Sequence, residues 1–382
     1  MMPYTAAIAS HMPLHDGGGQ VKDLAFALLR YVLPIAFSLS SGAAVGQQSA
    51  EPRALAIPAL LHNEHVASVS FAEIAGGRTV LAEAYGEAAP GISANTSTLY
   101  NIASLAKPIS AEVILRLASA SKLSLDEPMY PYWLDPDLAS DPRAKLLTPR
   151  MALDHQTGFP NWRVETGGRL AFVRDPGRGF GYSGEGYQYV ARFAEKKTGE
   201  SFEKLAQTLI FEPLQMTHTA YTKRPWMNGN IAKPADEHGK WLEPQIATAY
   251  VAADLVYTTP TQYARFVESL MNGVGESPAI RKLRESVLTD QKAQLCVGKL
   301  AASCPEQLGM GPGWQVIKLH GKTFLMHTGG DPGVFTLGYF DPSARSGVIV
   351  FTNSSNGPHI ILPLLELLHA DPDFIAFLAA QV

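Results

Sequence analysis

Cysteine is almost missing from this chain: Cys296 and Cys304 are the only two. A thiolate metal site cannot be built from so few, and a fold of this size cannot rest on a disulfide framework. Charge is sparse as well. Charged residues make up 17 %, the formal net charge is -4 and the pI is about 6.3, which predicts neither a nucleic-acid nor a polybasic membrane partner. Collagen-like periods, heptads and solenoid repeats are absent, and the 33 glycines and 27 prolines are scattered rather than clustered. Metal-ligand spacing is lacking too. His62-Asn63-Glu64-His65 misses the His-Glu-x-x-His interval that places two imidazoles on one helical face, so it reads as surface polar residues.

What is present is apolar mass. The 382 residues are 46 % hydrophobic, enough for a sizeable core in one large domain or two intertwined ones. Near the N-terminus Lys22 and Arg30 precede an apolar run from Tyr31 to Phe37, and Ala44-Val45-Gly46 offers small residues for cleavage. The run is too short to span a bilayer and reads as an export signal rather than an anchor. The 21 residues ahead of Lys22 are long for such a signal, which suits a start at Met12 or later. No cysteine follows the run to take a lipid, and the alternative is a disordered tail. In an exported protein Cys296 and Cys304, with seven residues between them in a polar loop, would form one disulfide that pins the loop; in the cytosol they would be free thiols.

The pattern predicts strands at both ends and helices between. Residues 47–58 suit a linker or a helix start. Val66–Ile74 and Thr79–Tyr85 read as a hairpin around Gly76-Gly77. Ser104–Ala120 carries helical periodicity. Thr148-Pro149 and Thr259-Pro260 are cap-then-proline signals that open helices to His155 and to about Met271. Residues 185–197 and 201–210 read as helices after a glycine- and arginine-rich loop. Residues 314–319, 323–328, 334–340 and 346–352 read as consecutive antiparallel strands, and Ile360–Leu378 as a helix broken at Asp371-Pro372. The fold class expected is α+β: one antiparallel sheet from both termini, flanked by helices, with a mainly helical subdomain inserted at about 121–300. The domain limits expected are 1–46 for signal peptide and leader, 47–357 for the main domain and 358–382 for a C-terminal helix on the sheet. A cleft between the two parts is the natural substrate site.

Three short stretches carry chemistry. Ser-x-x-Lys sets a lysine one helical turn after a serine, on the same face, where the amine can take the hydroxyl proton. The chain holds three copies. Ser119-Ala120-Ser121-Lys122 closes a helix, Ser201-Phe202-Glu203-Lys204 opens one where serine is a routine cap, and Ser104-Leu105-Ala106-Lys107 opens a strongly apolar helix. A buried helix start can also turn backbone N–H groups toward an oxyanion. Tyr182, in Gly181-Tyr182-Ser183-Gly184-Glu185, can shuttle a proton. Ser183 fails as a Gly-x-Ser-x-Gly elbow nucleophile because Glu185 stands where glycine is required. His327-Thr328-Gly329-Gly330 lies between apolar strands, where glycine lets a substrate backbone approach. Lys197-Thr198-Gly199 closes a helix and reads as a C-cap.

In that order the three stretches resemble the penicillin-recognising serine hydrolase superfamily, which includes class C β-lactamases, D-alanyl-D-alanine carboxypeptidases, D-amino-acid peptidases and family VIII esterases. Leu153 to Pro160 is similar to the family's LLxHxSGLP, Phe211 to Met216 to its xxPLGM, and Val348 to Asn353 to its last core strand. The resemblance runs from about Ala54 to about Gly357. It implies Ser104 as acylated nucleophile, Lys107 and Tyr182 as general base and acid, backbone N–H groups of Ser104 and Gly330 as oxyanion hole, and His327, Thr328 and Gly329 as substrate-binding strand. It implies no metal or organic cofactor, and a small-molecule ester, amide or peptide as substrate.

Two departures matter. The family's second motif usually ends in an asparagine that binds the substrate amide; here the position is Gly184. The third motif usually begins with lysine; here it is His327, which offers less positive charge to a carboxylate. Both tilt the expectation toward an esterase or peptidase rather than an efficient β-lactamase. The competing reading is a non-catalytic binding or scaffold protein of the same fold. Arg163, Arg169, Arg174 and Arg178, ahead of Tyr182, read as a solvated loop or, alternatively, as a site for an anionic substrate.

Overall fold

The computed structural model describes residues 51–381, so the export signal expected within 1–46 lies outside the described residues. The described residues open with helix α1 (Glu51–Asn63), so residues 51–58 are helical, and enter the hairpin β1 (Ser68–Ala75) and β2 (Arg78–Ala89). Gly76 and Gly77 make that turn with φ of 61° and 76°, a region open to glycine at no steric cost. A two-residue strand β3 (Ile92–Ser93) follows, then β4 (Tyr100–Asn101) and a tight turn over Ala103–Leu105 that leads into α2 (Ala106–Ser119).

The helical middle contains α3 (Pro149–Leu153), α4 (Gly184–Thr198), α5 (Phe202–Ala206), β5 (Tyr257–Thr258), α6 (Pro260–Asn272) and α7 (Pro278–Arg284). The cap signals work as read: Thr148 accepts from Met151 N–H and Thr259 from Gln262 N–H. The first of these helices is shorter than expected, ending at Leu153, because His155 takes a left-handed φ of 61°. The 201–210 stretch is also not one α-helix: α5 gives way to a π turn at Gln207–Phe211. Gly199, φ 78°, closes α4 as the expected C-cap.

The chain then returns through β6 (Thr289–Asp290), α8 (Lys292–Leu295), β7 (Gln307–Met310), β8 (Gln315–Leu319), β9 (Lys322–Asp331), β10 (Val334–Asp341) and β11 (Ser346–Thr352). It ends in α9 (Ile361–Leu367) and α10 (Pro372–Ala379), broken at Asp371-Pro372. Nine strands make one antiparallel sheet in the order β3-β2-β1-β11-β10-β9-β8-β7-β6, so both ends of the chain meet where β1 pairs with β11. Three short elements of this sheet, β3, β6 and β7, were not expected from the pattern, nor was the separate β4–β5 pair.

The apolar strands read as continuous runs because both faces are covered. Along β11, Val348 and Val350 face one core with α1, α9 and α10, whereas Ile349 and Phe351 face the other with α2, α4 and α6. Among the described residues no helix is long and apolar enough to cross a membrane.

Candidate active site

The turn that carries Ser104 is held from three sides. Ala103 N–H donates to Asn101 Oδ1 at 2.9 Å, Thr336 Oγ1 on β10 donates to Ile102 O at 2.9 Å, and Tyr263 OH on α6 donates to Leu105 O at 3.0 Å. These bonds over-determine a strained backbone: Ala103 sits at φ 47°, a left-handed value that a residue with a Cβ rarely adopts. Ser104 is therefore presented by a braced turn ahead of α2 and does not cap that helix.

Its partner is Lys107, whose side chain is 0 % exposed. Lys107 Nζ lies 2.9 Å from Ser104 Oγ and 3.1 Å from Ala253 O, and 4.7 Å above the ring of Tyr182. The other two Ser-x-x-Lys copies behave as local structure. Ser201 Oγ accepts from Lys204 N–H as a helix cap, and Ser119 Oγ accepts from Ser277 N–H. Ser183, fully buried, is the N-cap of α4: its Oγ donates to Pro160 O at 2.7 Å and accepts from Gly186 N–H at 3.0 Å. It is a structural serine, as the missing elbow glycine implied.

Tyr182 has two imidazole rings for neighbours. His155 stacks on it with centroids 4.4 Å apart and His327 lies 6.2 Å away. His155 Nδ1 accepts the Ser183 N–H at 3.0 Å, so its neutral tautomer carries the proton on Nε2. Burial, and then the charge of Lys107, holds His155 well below the usual imidazole range. The same causes, in the same order, push His327 down to about 3. His327 donates from Nδ1 to Thr328 O at 2.6 Å, which leaves Nε2 as an acceptor. The imidazole therefore brings no positive charge to the cleft.

Gly329 shows why β9 must be bare here. A Cβ at this position would collide with Ile102 O and Thr336 Oγ1 and come within 3.0 Å of Ser104 N. The turn that carries Ser104 thus rests directly on the strand backbone. Gly330, next along, is exposed, and Thr328 is half-buried.

Several groups at this site carried no sequence signal. Ala253 contributes only its carbonyl. Tyr187, one turn into α4, is buried beside His155 and donates to Leu153 O at 2.9 Å. Asp331, at the end of β9, accepts from Asn101 Nδ2 at 2.8 Å and pairs with Asp254. Burial and then the neighbouring carboxylate push Asp331 well above the usual carboxylate range; burial also raises Asp254, against the pull of Lys107. Lys107 lies near enough to pull both carboxyls back down.

Three of the four arginines ahead of Tyr182 have protein partners. Arg163 clamps Glu185 of α4 through Nε and Nη2, at 3.0 and 2.7 Å, and reaches Asp135 at 3.3 Å. Arg169 lies 3.4 Å from Asp137, and Arg174 donates to Phe180 O at 3.1 Å. Cys296 and Cys304 are bonded to each other, with Cα atoms 5.4 Å apart.

A braced serine, a buried lysine bonded to it and a tyrosine ring under that lysine from the loop before α4, set between an antiparallel sheet and a helical region, fit the architecture of β-lactamase and transpeptidase-like hydrolases. The Beta-lactamase family model matches residues 54–370, and the chain belongs to that family. Among curated relatives, the D-alanyl-D-alanine-carboxypeptidase/endopeptidase AmpH of Escherichia coli is 24 % identical over 72 % of this chain and 78 % of its own length. Unguisins hydrolase ungD of Aspergillus violaceofuscus is 25 % identical over 53 % of this chain and 42 % of its own. The chain spans about half the length of the curated relatives it matches most significantly. In structure it is similar to an octameric penicillin-binding protein homologue from Pyrococcus abyssi, with a TM-score of 0.70 at 20 % identity, covering 86 % of this chain and 79 % of that one. It is also similar to D-amino acid amidase from Ochrobactrum anthropi SV3, with a TM-score of 0.66 at 18 % identity, covering 82 % and 96 %.

Proposed function

We propose that this protein is a serine hydrolase that cleaves an ester or amide through an acyl-enzyme on Ser104, with esterase or peptidase character rather than efficient β-lactamase activity. The observation that carries this reading is the 2.9 Å contact between a fully buried Lys107 Nζ and Ser104 Oγ. A lysine is buried at that cost only when its partners are specific, and a scaffold protein has no use for an amine aimed at a hydroxyl.

In this mechanism Ser104 Oγ attacks the substrate carbonyl while Lys107 and Tyr182, sharing general-base duty, take its proton. Lys107 keeps an N–H for Ala253 O throughout, so it does not lose its orientation. The developing oxyanion sits between the N–H groups of Ser104 and Gly330. Two features support Gly330 in that role. Pairing of β8 with β9 stops at Met326, which leaves the later part of β9 with an open edge. The two-residue turn after Asp331 makes Asp331–Val334 the closing pair, and alternation along an antiparallel ladder then directs the Gly330 N–H away from β10. Collapse breaks the carbonyl–leaving-group bond, and the proton returns to the leaving group through Lys107 and Tyr182. Water attacks the acyl-enzyme by the reverse path, yielding the acid and free Ser104.

The neutral imidazole of His327 supports the tilt away from carboxylate-bearing β-lactams, as does the absence of a side-chain amide at Gly184. Steady-state hydrolysis of p-nitrophenyl esters and of a penicillin, by wild type and by Ser104→Ala, tests the reading. The expected outcome is ester turnover above penicillin turnover, falling by about 10³-fold or more without the hydroxyl. Undiminished turnover in S104A would remove Ser104 from the mechanism. Export is proposed on residues 1–46 and is checked by the N-terminal sequence of protein recovered from periplasm or medium.

A further inference from the structure

Position 184 is not an open gap. Gly184 is the first residue of α4, two positions after Tyr182, and it is buried. A Cβ built there would lie 2.8 to 3.0 Å from the six-membered ring of Trp162. The same indole has its centroid 6.0 Å from Lys107 Nζ. The space that a side chain at 184 would enter is thus taken by an indole that also lies near Lys107.

That face is fixed in place. Asn161 holds the start of α4 by accepting Gly184 N–H on both its side chain, at 2.9 Å, and its backbone carbonyl, at 3.1 Å. On the other flank Arg163 is tied to the nearly buried Glu185 by its backbone N–H and by two guanidinium bonds. Trp162 N–H donates to Glu165 Oε1 at 3.1 Å. The residues on either side of the tryptophan are therefore locked to the two residues that open α4, which fixes the backbone from which the indole projects. This also explains the roles of Glu185 and Arg163: they hold a wall, not a ligand.

We propose that Trp162 is the specificity-determining residue of the acyl side of the cleft, and that the substrate class is an ester or amide whose acyl group carries an aryl or branched alkyl face and no acylamido group next to the scissile carbonyl. An indole in van der Waals contact with the acyl chain rewards apolar surface. Its six-membered ring, the part that meets position 184, has no polar atom and the indole has no acceptor, so the N–H of an acylamido group would be desolvated without compensation. The inference rests on the acyl-enzyme reading above.

The test is a matched pair of p-nitrophenyl esters, phenylacetate and N-acetylglycinate, assayed for kcat/KM with wild type, W162A, W162F, G184A and the double variant W162A/G184N. Wild type should prefer phenylacetate by about 10-fold or more. Trp162→Ala should collapse that ratio and Trp162→Phe reduce it in part. Gly184→Ala should lower the phenylacetate value, because the added methyl displaces the indole, and should not need the backbone to change. W162A/G184N should reverse the preference toward the N-acetylglycinate. A ratio that stays within 2-fold of wild type in W162F and G184A would overturn the assignment, even if W162A proved too unstable to assay. Labelling of each variant by a small fluorophosphonate separates the two claims. Label on Ser104 with an unmoved ratio defeats Trp162 alone, whereas no label on folded wild type defeats the acyl-enzyme and this inference with it.

Discussion

Lys107 and Asp154 show how differently a buried charge can be used. Lys107 has two specific partners and a π face, and its removal should abolish chemistry rather than the fold. Lys107→Met, which keeps the apolar stem, is expected to lower kcat by about 10³-fold with little loss of thermal stability, checked by stopped assay and calorimetry. Asp154 is 2 % exposed and leaves Oδ1 without a partner; burial pushes its carboxyl up to about 7. Unfolded, the same group titrates near the ordinary value of 3.8. Between those two values the folded state binds more protons than the unfolded one, so this group's contribution to stability falls as pH rises through that window. Asp154→Asn should therefore raise Tm at pH 8, and the gap should close toward pH 4. An equal gap at both pH values would contradict the assignment. His327 gives the complementary case. With its imidazole held at about 3, it stays neutral from pH 5 to 9 and adds no limb to the rate profile in that range. His327→Gln should change the height of the kcat/KM profile and leave its shape alone.

At the scale of elements, the site depends on two backbones touching. The Ser104 turn lies on β9 with no side chain between them at Gly329. Gly329→Ala should push the turn off the strand, with a loss of activity well beyond any loss in Tm, read by comparing kcat with the melting curve. Much of this arrangement was legible in the sequence. The Ser104-x-x-Lys107 spacing, the apolar helix after it and the glycines flanked by apolar strands each state a local requirement that tertiary structure then meets. The strands from 315 to 352 were readable because both sheet faces are covered and the runs are continuous between turn residues. β6 and β7 were not readable: one has two residues, the other four, and Gly309 lies within β7. The same holds for Ala253, whose contribution is a carbonyl that any residue supplies. The space at Gly184 looked like a missing side chain because the indole that fills it comes from Trp162, across the clamp formed by Arg163 and Glu185. No local pattern encodes that contact.

For the whole molecule, the sheet is the frame that fixes these distances. β1 from one end of the chain and β11 from the other share a ladder over Val69–Ile74, so the core closes only when both ends are in place. α9 and α10 complete the outer face, with Phe374 fully buried against Phe324 and stacked on Tyr339 at 3.9 Å. Phe374→Ala should destabilise the protein by about 3–5 kcal/mol by leaving a cavity far from the nucleophile, measured by denaturant unfolding; activity per folded molecule should be unchanged. The central claim is that one serine among all those in the chain is the nucleophile. Intact-mass spectrometry after exposure to a fluorophosphonate, with peptide mapping, tests it most directly. A single adduct per chain on the peptide containing Ser104, absent in Ser104→Ala, is the result predicted. An adduct on another residue, or none on correctly folded protein, would contradict the assignment.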